Sequence, residues 1–278
     1  MSKFLITLLL LPFFACAEAN VVVYNVTNNV VLRGSLDNEQ VSIASISKLM
    51  TVYTVLNANQ DLYENLQVVS PKTSNTKLVK GMVLSRIELI KLSLISSDNL
   101  AAITLSENYP GGREEFIRKM NENSQLLHMK DTHFVEPTGL SPMNYSSVHD
   151  VVALTKIVSQ YDIVKTAAQS PAQYVIATTF RDKFKYKNKK KKHMVKQPRK
   201  ASESTTITAK IHTHPTSTFF GYEGIITIKT GFTNAAGFCI TMLISEHEQL
   251  YNITVLGARS KKERQKIVEK SLQTIKDA

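Results

Sequence analysis

Ala44-Ser45-Ile46-Ser47-Lys48-Leu49-Met50-Thr51 is the stretch on which the reading of this chain turns. Lys48, Leu49, Met50, Val52, Tyr53, Val55 and Leu56 follow Ser45 at helical spacing, so the segment opens a buried helix with Ser45 at its start. Lys48 lies three residues on, about one turn along the same face. A serine hydroxyl is a weak nucleophile until a neighbour takes its proton. A lysine does so only when desolvation or a second cation lowers its pKa. A helix start also points backbone N–H groups outward, where an oxyanion would be held. Viewed alone, Ser45 reads equally as a helix N-cap.

The pattern on either side fixes the architecture. Residues 21–24 and 30–32 are β-rich runs separated by Asn-containing turn residues, a hairpin signature. Another strand is expected around 64–70. The stretch 85–107 is helical, opened by the capping-box pattern Ser85-x-x-Glu88 and interrupted at Ser96-Ser97-Asp98-Asn99. Tyr109-Pro110-Gly111-Gly112 breaks the chain, and 113–127 and 149–161 are two further helices. Three strands follow at 224–229, 237–245 and 250–256, and then a helix over 261–276. Ile267, Val268, Leu272 and Ile275 give that helix one apolar stripe suited to packing on a sheet. The fold class is therefore α/β (α+β): an antiparallel sheet contributed by both termini, flanked by helices, with an all-helical subdomain inserted.

Bulk composition narrows the setting. The chain has 278 residues, 43% of them hydrophobic, enough for one sizeable core. Lys3 precedes a run over 4–17 that is apolar except at Thr7 and ends in Ala15-Cys16-Ala17. A basic start, a run of this length and a small-x-small site predict a signal peptide over 1–17. The run falls short of the roughly 20 residues a membrane span needs. A single exported domain over 18–278 follows. Removal of the leader leaves Cys239 as the one cysteine, so no internal disulfide forms. The net charge of +11 is local: 181–200 holds eleven Lys or Arg against one Asp. Such a block is usually solvated. The sharper reading of this Lys-rich insertion is binding of anionic envelope polymers or lipids, with no nucleic acid expected for an exported protein.

Two further motifs supply chemistry. Ser97-Asp98-Asn99 sits at the break between helices, where Ser97 faces a cleft and relays a proton while the Asn99 amide holds a substrate carbonyl. Lys229-Thr230-Gly231 ends a strand; its lysine and threonine suit a carboxylate, Gly231 lets a substrate backbone approach, and the Phe232 N–H pairs with that of Ser45 as an oxyanion hole. Each motif is weak alone, and two have copies: Ser74-x-x-Lys77 repeats the first and Ser106-Glu107-Asn108 loosely repeats the second. Context favours Ser45, since no apolar helix follows Ser74. His212-Thr213-His214 lacks an obvious third ligand nearby, so no metal and no cofactor are expected.

The three motifs in this order occur in penicillin-binding proteins and class A β-lactamases, and the chain resembles the low-molecular-mass penicillin-binding proteins, serine D-alanyl-D-alanine peptidases. Asn108-Tyr109-Pro110-Gly111-Gly112, Phe134-Val135-Glu136-Pro137-Thr138-Gly139-Leu140-Ser141 and Lys229-Thr230-Gly231-Phe232-Thr233-Asn234-Ala235-Ala236-Gly237 are similar to the endopeptidase branch. Ser47 stands where threonine is usual. The resemblance implies a β-lactamase/transpeptidase-like fold and a periplasmic enzyme. It further implies an acyl-enzyme on Ser45, peptidoglycan peptides as substrate and β-lactams as acylating inhibitors. Ser45, Lys48 and Ser97 would be catalytic, and Asn99, Lys229, Thr230, Gly231 and Phe232 substrate-binding. Glu136, where a deacylating base would invite comparison, reads as structural. D,D-carboxypeptidase, β-lactamase and non-catalytic wall-binding protein stand as alternatives.

Overall fold

The computed structural model describes residues 19–170, 174–182, 204–212 and 214–278. The expected leader and all but the first two residues of the Lys-rich insertion lie outside the described residues.

In chain order the elements are β1 (Asn20–Asn25), β2 (Val30–Gly34), β3 (Val41–Ser42), a 3₁₀ turn (Ala44–Ile46), α1 (Ser47–Asn57), β4 (Asn65–Gln67), β5 (Met82–Ser85), α2 (Arg86–Ile95), α3 (Asn99–Glu107) and α4 (Gly112–Leu126). Then come β6 (Tyr145–Ser146), α5 (Val148–Val158), α6 (Asp162–Gln169), β7 (Tyr174–Asp182), β8 (Ser204–His212), β9 (Ile225–Thr233), β10 (Gly237–Glu246), β11 (Gln249–Ala258) and α7 (Lys261–Lys276).

The main sheet runs β2-β1-β11-β10-β9, antiparallel throughout, so both ends of the chain build it as expected. β1 joins the C-terminal strands with Val23 opposite Ile253. Side chains alternate between the faces of a strand. Every residue from Cys239 to Leu243 and from Tyr251 to Leu256 is buried, so both faces of the central strands are covered. α5 and α7 pack against β10 and β11. Thr155 of α5 meets Thr241 of β10 hydroxyl to hydroxyl at 2.9 Å. Val268, Leu272 and Ile275 of α7 are buried, which is the packing the apolar stripe predicts. The capping box at α2 forms, with both the Ser85 and Glu88 side chains engaged.

Two features that shape the site were not visible in the sequence. The inserted subdomain is not all-helical as expected: beside its helices it carries a second antiparallel sheet, β4-β5-β7-β8. Its middle pairing joins Met82 to Thr179 and Val83 to Thr178. That partner is remote in the chain, so local periodicity carries no trace of it. Further, β9 does not end at Lys229-Thr230-Gly231 but continues to Thr233, pairing Gly231 with Cys239 and Phe232 with Phe238. The polar residues that read as a turn belong to an edge strand, where only one side needs a partner. The motif thus sits within a paired strand at the rim of the sheet.

Candidate active site

Ser45 lies in the 3₁₀ turn that feeds α1, with Lys48 in the first turn of that helix. The turn is tight: Ala44 occupies the left-handed region at φ 46°. Two glycines make room for it. A Cβ on Gly139 would fall 1.8 Å from the Ala44 carbonyl oxygen, and one on Gly231 would fall 2.9 Å from that of Ile43 and 3.0 Å from the Ser45 nitrogen. Gly231 therefore serves first to bring the β9 edge against the chain's own serine turn, beyond the substrate approach expected of it.

Lys48 is fully buried and makes three contacts. Its Nζ donates to Ser45 Oγ at 3.0 Å, Asn99 Oδ1 at 2.7 Å and the Thr138 carbonyl at 2.7 Å. Burial lowers its pKa to about 7, against the opposing pull of the Glu136 and Asp98 carboxylates. Of the two causes the sequence offered, desolvation and a second cation, desolvation is the one that lowers it. Lys229, also fully buried, donates to Ser97 Oγ at 2.9 Å and to the Thr230 carbonyl at 2.7 Å. Its pKa falls well below the ordinary value, through burial first and then the positive charges of Lys48 and Arg264.

Ser97 is held at φ 56°, left-handed and strained for a serine. Asp98 caps α3, accepting from the Ala101 N–H at 2.9 Å, which fixes the loop. Asn99 occupies the first turn of α3. Its amide nitrogen donates to the Ser74 carbonyl at 2.9 Å and to Ser74 Oγ at 3.2 Å. So the donor that was expected to meet a substrate carbonyl is engaged with Ser74. Thr230 Oγ1 donates to Thr216 Oγ1 at 2.6 Å. Phe232 is 51% exposed and stacks on Phe238 at 4.1 Å between centroids.

These groups line one cleft of about 360 Å³. Ser45, Ser97, Asn99, Thr230, Gly231 and Phe232 all reach it. Lys48 and Lys229 stand behind its wall, each bonded to one of the serines. Sequence reasoning missed three residues here. Ser74, set aside as the copy motif, lines the cleft. Thr216 braces Thr230. Arg264 of α7 also lines it. Its side chain is nearly buried, with Nη1 donating to the Cys239 carbonyl at 3.3 Å and Nε lacking a partner among the described residues. The signal for Arg264 was absent because the helix read only as an apolar stripe.

Glu136 folds back on its own loop. Its carboxylate accepts from Thr138 N at 2.7 Å, Thr138 Oγ1 at 2.6 Å, Gly139 N at 2.6 Å and Ser141 N at 3.3 Å. It thereby holds the Thr138 carbonyl against Lys48, the structural role expected of it. Cys239 is buried, with its thiol pushed up to about 11 by burial, as a packed hydrophobe would be. Among the described residues, no group of three metal-ligating side chains occurs.

Residues 14–260 match a family model described as D-alanyl-D-alanine carboxypeptidase. A D-alanyl-D-alanine endopeptidase of Pseudomonas aeruginosa is 32% identical over 80% of this chain and 65% of its own length. One from Escherichia coli is 33% identical over 90% of this chain and 74% of its own. The chain thus spans about two thirds to three quarters of these relatives. The Streptomyces K15 DD-transpeptidase superposes with a TM-score of 0.75 at 20% identity, covering 92% of this chain and 95% of that one, a likeness of fold. Penicillin-binding protein D2 from Listeria monocytogenes, in its ampicillin-bound form, gives 0.71 at 25% identity, covering 92% and 96%. With two serines each bonded to a buried lysine, and a family match running through all three motifs, this chain belongs to the D-alanyl-D-alanine carboxypeptidase family of serine peptidases.

Proposed function

We propose that the chain is a serine D-alanyl-D-alanine endopeptidase that opens D-Ala-containing peptidoglycan crosslinks through an acyl-enzyme on Ser45. The observation that carries this reading is the buried Lys48 amine, 3.0 Å from Ser45 Oγ with its pKa near 7. At neutral pH a large share of it is unprotonated, so Nζ takes the Ser45 proton as Oγ attacks the D-Ala carbonyl. The oxyanion that forms is held by the Ser45 and Phe232 N–H groups. Ser97 passes its proton to the departing amine as the C–N bond breaks and takes one back from the Lys229 ammonium 2.9 Å away. Lys229, Thr230 and Arg264 draw a carboxylate on the amine side. Asn99 shifts its amide from Ser74 to the acyl-side peptide carbonyl. Gly231 keeps the β9 edge close enough to act. Water then adds to the acyl ester, its proton passing through Ser97 to Lys229, and Lys48 returns its proton to Ser45 Oγ as the ester C–O bond breaks.

The endopeptidase reading is favoured over the carboxypeptidase one because the cleft continues on both sides. It shares Asn75 and Thr216 with a hollow of about 430 Å³, and Phe232 and Phe238 with another of about 530 Å³. A crosslink has two arms to place. A β-lactamase using Glu136 is disfavoured, since four donors within its own loop already occupy that carboxylate. We further propose export after removal of a leader over 1–17, and a role for the Lys-rich segment in holding anionic envelope polymers or lipids. Among the described residues no helix is long and apolar enough to cross a membrane. Deleting 183–200 and finding unchanged, salt-insensitive retention on envelopes would remove that role.

Incubation with a fluorescent penicillin and then with crosslinked peptidoglycan fragments tests the main reading. Stable labelling lost on Ser45→Ala, with crosslinks cleaved by the parent, is expected. Rapid release of hydrolysed penicillin, or labelling without any cleavage, would overturn it.

A further inference from the structure

Beside the cleft lies the hollow of about 430 Å³, lined by two lysines, Lys72 and Lys77, and two histidines, His212 and His214. It is continuous with the cleft, since Asn75 and Thr216 line both. Thr216 places it, because its hydroxyl accepts from that of Thr230 at 2.6 Å. The hollow therefore opens off the Lys229–Thr230 side. On the reading above, that is the side from which the amine arm leaves.

The wall is organised rather than a scatter of surface charge. Lys77 Nζ donates to the His212 carbonyl at 2.8 Å, which holds the ammonium on the rim and uses one of its three donors. His214 Nε2 lies 3.2 Å from His212 Nδ1, with the rings edge to face at 4.4 Å. The positive charge of Lys77 is the main influence holding the His214 pKa below its ordinary value. The Asp98 carboxylate also reaches this wall, but it is spent inward, accepting from the Lys77 N–H at 3.1 Å and the Ala101 N–H at 2.9 Å. The net field in the hollow favours an anion.

We propose that this hollow is a carboxylate-binding subsite for the amine-side arm of the crosslinked peptide. Where the residue whose side-chain amine is acylated by D-Ala ends its own peptide, its backbone carboxylate is free and lies a side chain's length beyond the scissile nitrogen, further out than the carboxylate position at Thr230. Lys72 and Lys77 meet it as charges, and His214 as a hydrogen-bond donor. A terminal D-Ala ends at Thr230 and leaves the hollow empty. The subsite therefore selects crosslinks over free stem termini. This rests on the endopeptidase reading.

Two crosslinked peptide dimers, identical except that the amine-arm carboxylate is free or amidated, are titrated into the full chain carrying Ser45→Ala. The free acid is expected to bind about tenfold more tightly, as two exposed ion pairs would give. High salt should erode that preference. Adding Lys72→Gln, Lys77→Gln and His214→Asn should abolish the preference while leaving the affinity for the amidated dimer unchanged, an internal control for folding. Equal binding of both dimers by the parent, or a preference that survives the three substitutions, would overturn the subsite. Absence of cleavage by the Ser45-intact chain, with the binding preference intact and lost on substitution, would overturn the endopeptidase reading and leave the subsite standing.

Discussion

Ser45-Ile46-Ser47-Lys48 and Ser74-Asn75-Thr76-Lys77 share one sequence pattern and reach neighbouring parts of one cleft, yet they end in opposite chemical states. The first sits on a 3₁₀ turn running into α1, so Lys48 folds back one turn and meets Ser45. The second is a loop outside helix and strand. There Lys77 points away to the His212 carbonyl, and Ser74 serves Asn99 instead. Lys48 is fully buried whereas Lys77 is exposed. Spacing alone does not make a base. The helix supplies the contact, and the apolar core supplies the desolvation that turns an ammonium into an amine near neutrality.

The largest expected effect separates the two serines. Ser45→Ala should abolish covalent labelling by penicillin, whereas Ser74→Ala should leave labelling in place with at most about a tenfold slower rate, the worth of one lost hydrogen bond to Asn99. Intact-mass measurement checks both, and an adduct surviving Ser45→Ala would break the comparison. Next in size, Lys48→Met should slow acylation by about 10²–10⁴-fold, the range for a positioned proton acceptor. Lys77→Met should change it less than threefold, which stopped-flow acylation with penicillin measures.

The hairpin, the α2 capping box, the α7 stripe and the three C-terminal strands were legible because each rests on local spacing. The choice of Ser45 over Ser74 was legible for the same reason: only one copy opens an apolar helix. The second sheet was not, since β5 and β7 pair across nearly a hundred residues of chain. Nor were Arg264 and Thr216, whose roles depend on which strand they lie beside. Gly231 was legible as a glycine that something must approach, but the approaching group proved to be the protein's own turn.

Gly139 offers an intermediate effect that sharpens the contrast. It stands at φ 79° against the Ala44 carbonyl. Gly139→Ala should destabilise the chain by roughly 1–3 kcal/mol from the left-handed backbone alone, with more from the contact. It should also slow acylation by displacing the Ser45 turn. Thermal unfolding together with labelling rate checks it; normal values for both would show that the turn does not depend on this glycine.

The smallest expected effect is a displaced pH limb. A lysine with a lowered pKa acts as base above that value, so the acylation rate should rise with pH and level off above about 7. Glu136 pulls the Lys48 pKa upward. Glu136→Gln should therefore move the limb to lower pH, and a move to higher pH would contradict the assigned electrostatics. The sign for stability follows from the same shift. Between about 7 and the ordinary lysine value near 10.4, the unfolded chain holds a proton on Lys48 that the folded chain does not. This group alone therefore makes the fold more stable as pH rises through that window.

The most direct test of the account is the titration of Lys48 itself, followed by NMR on the full chain carrying isotopically labelled lysine and assigned by comparison with Lys48→Met. The Lys48 side-chain resonance is expected to titrate near 7. A midpoint near the ordinary 10.4 would mean that burial does not make Lys48 a base, and the distinction between the two Ser-x-x-Lys copies would lose its chemical foundation.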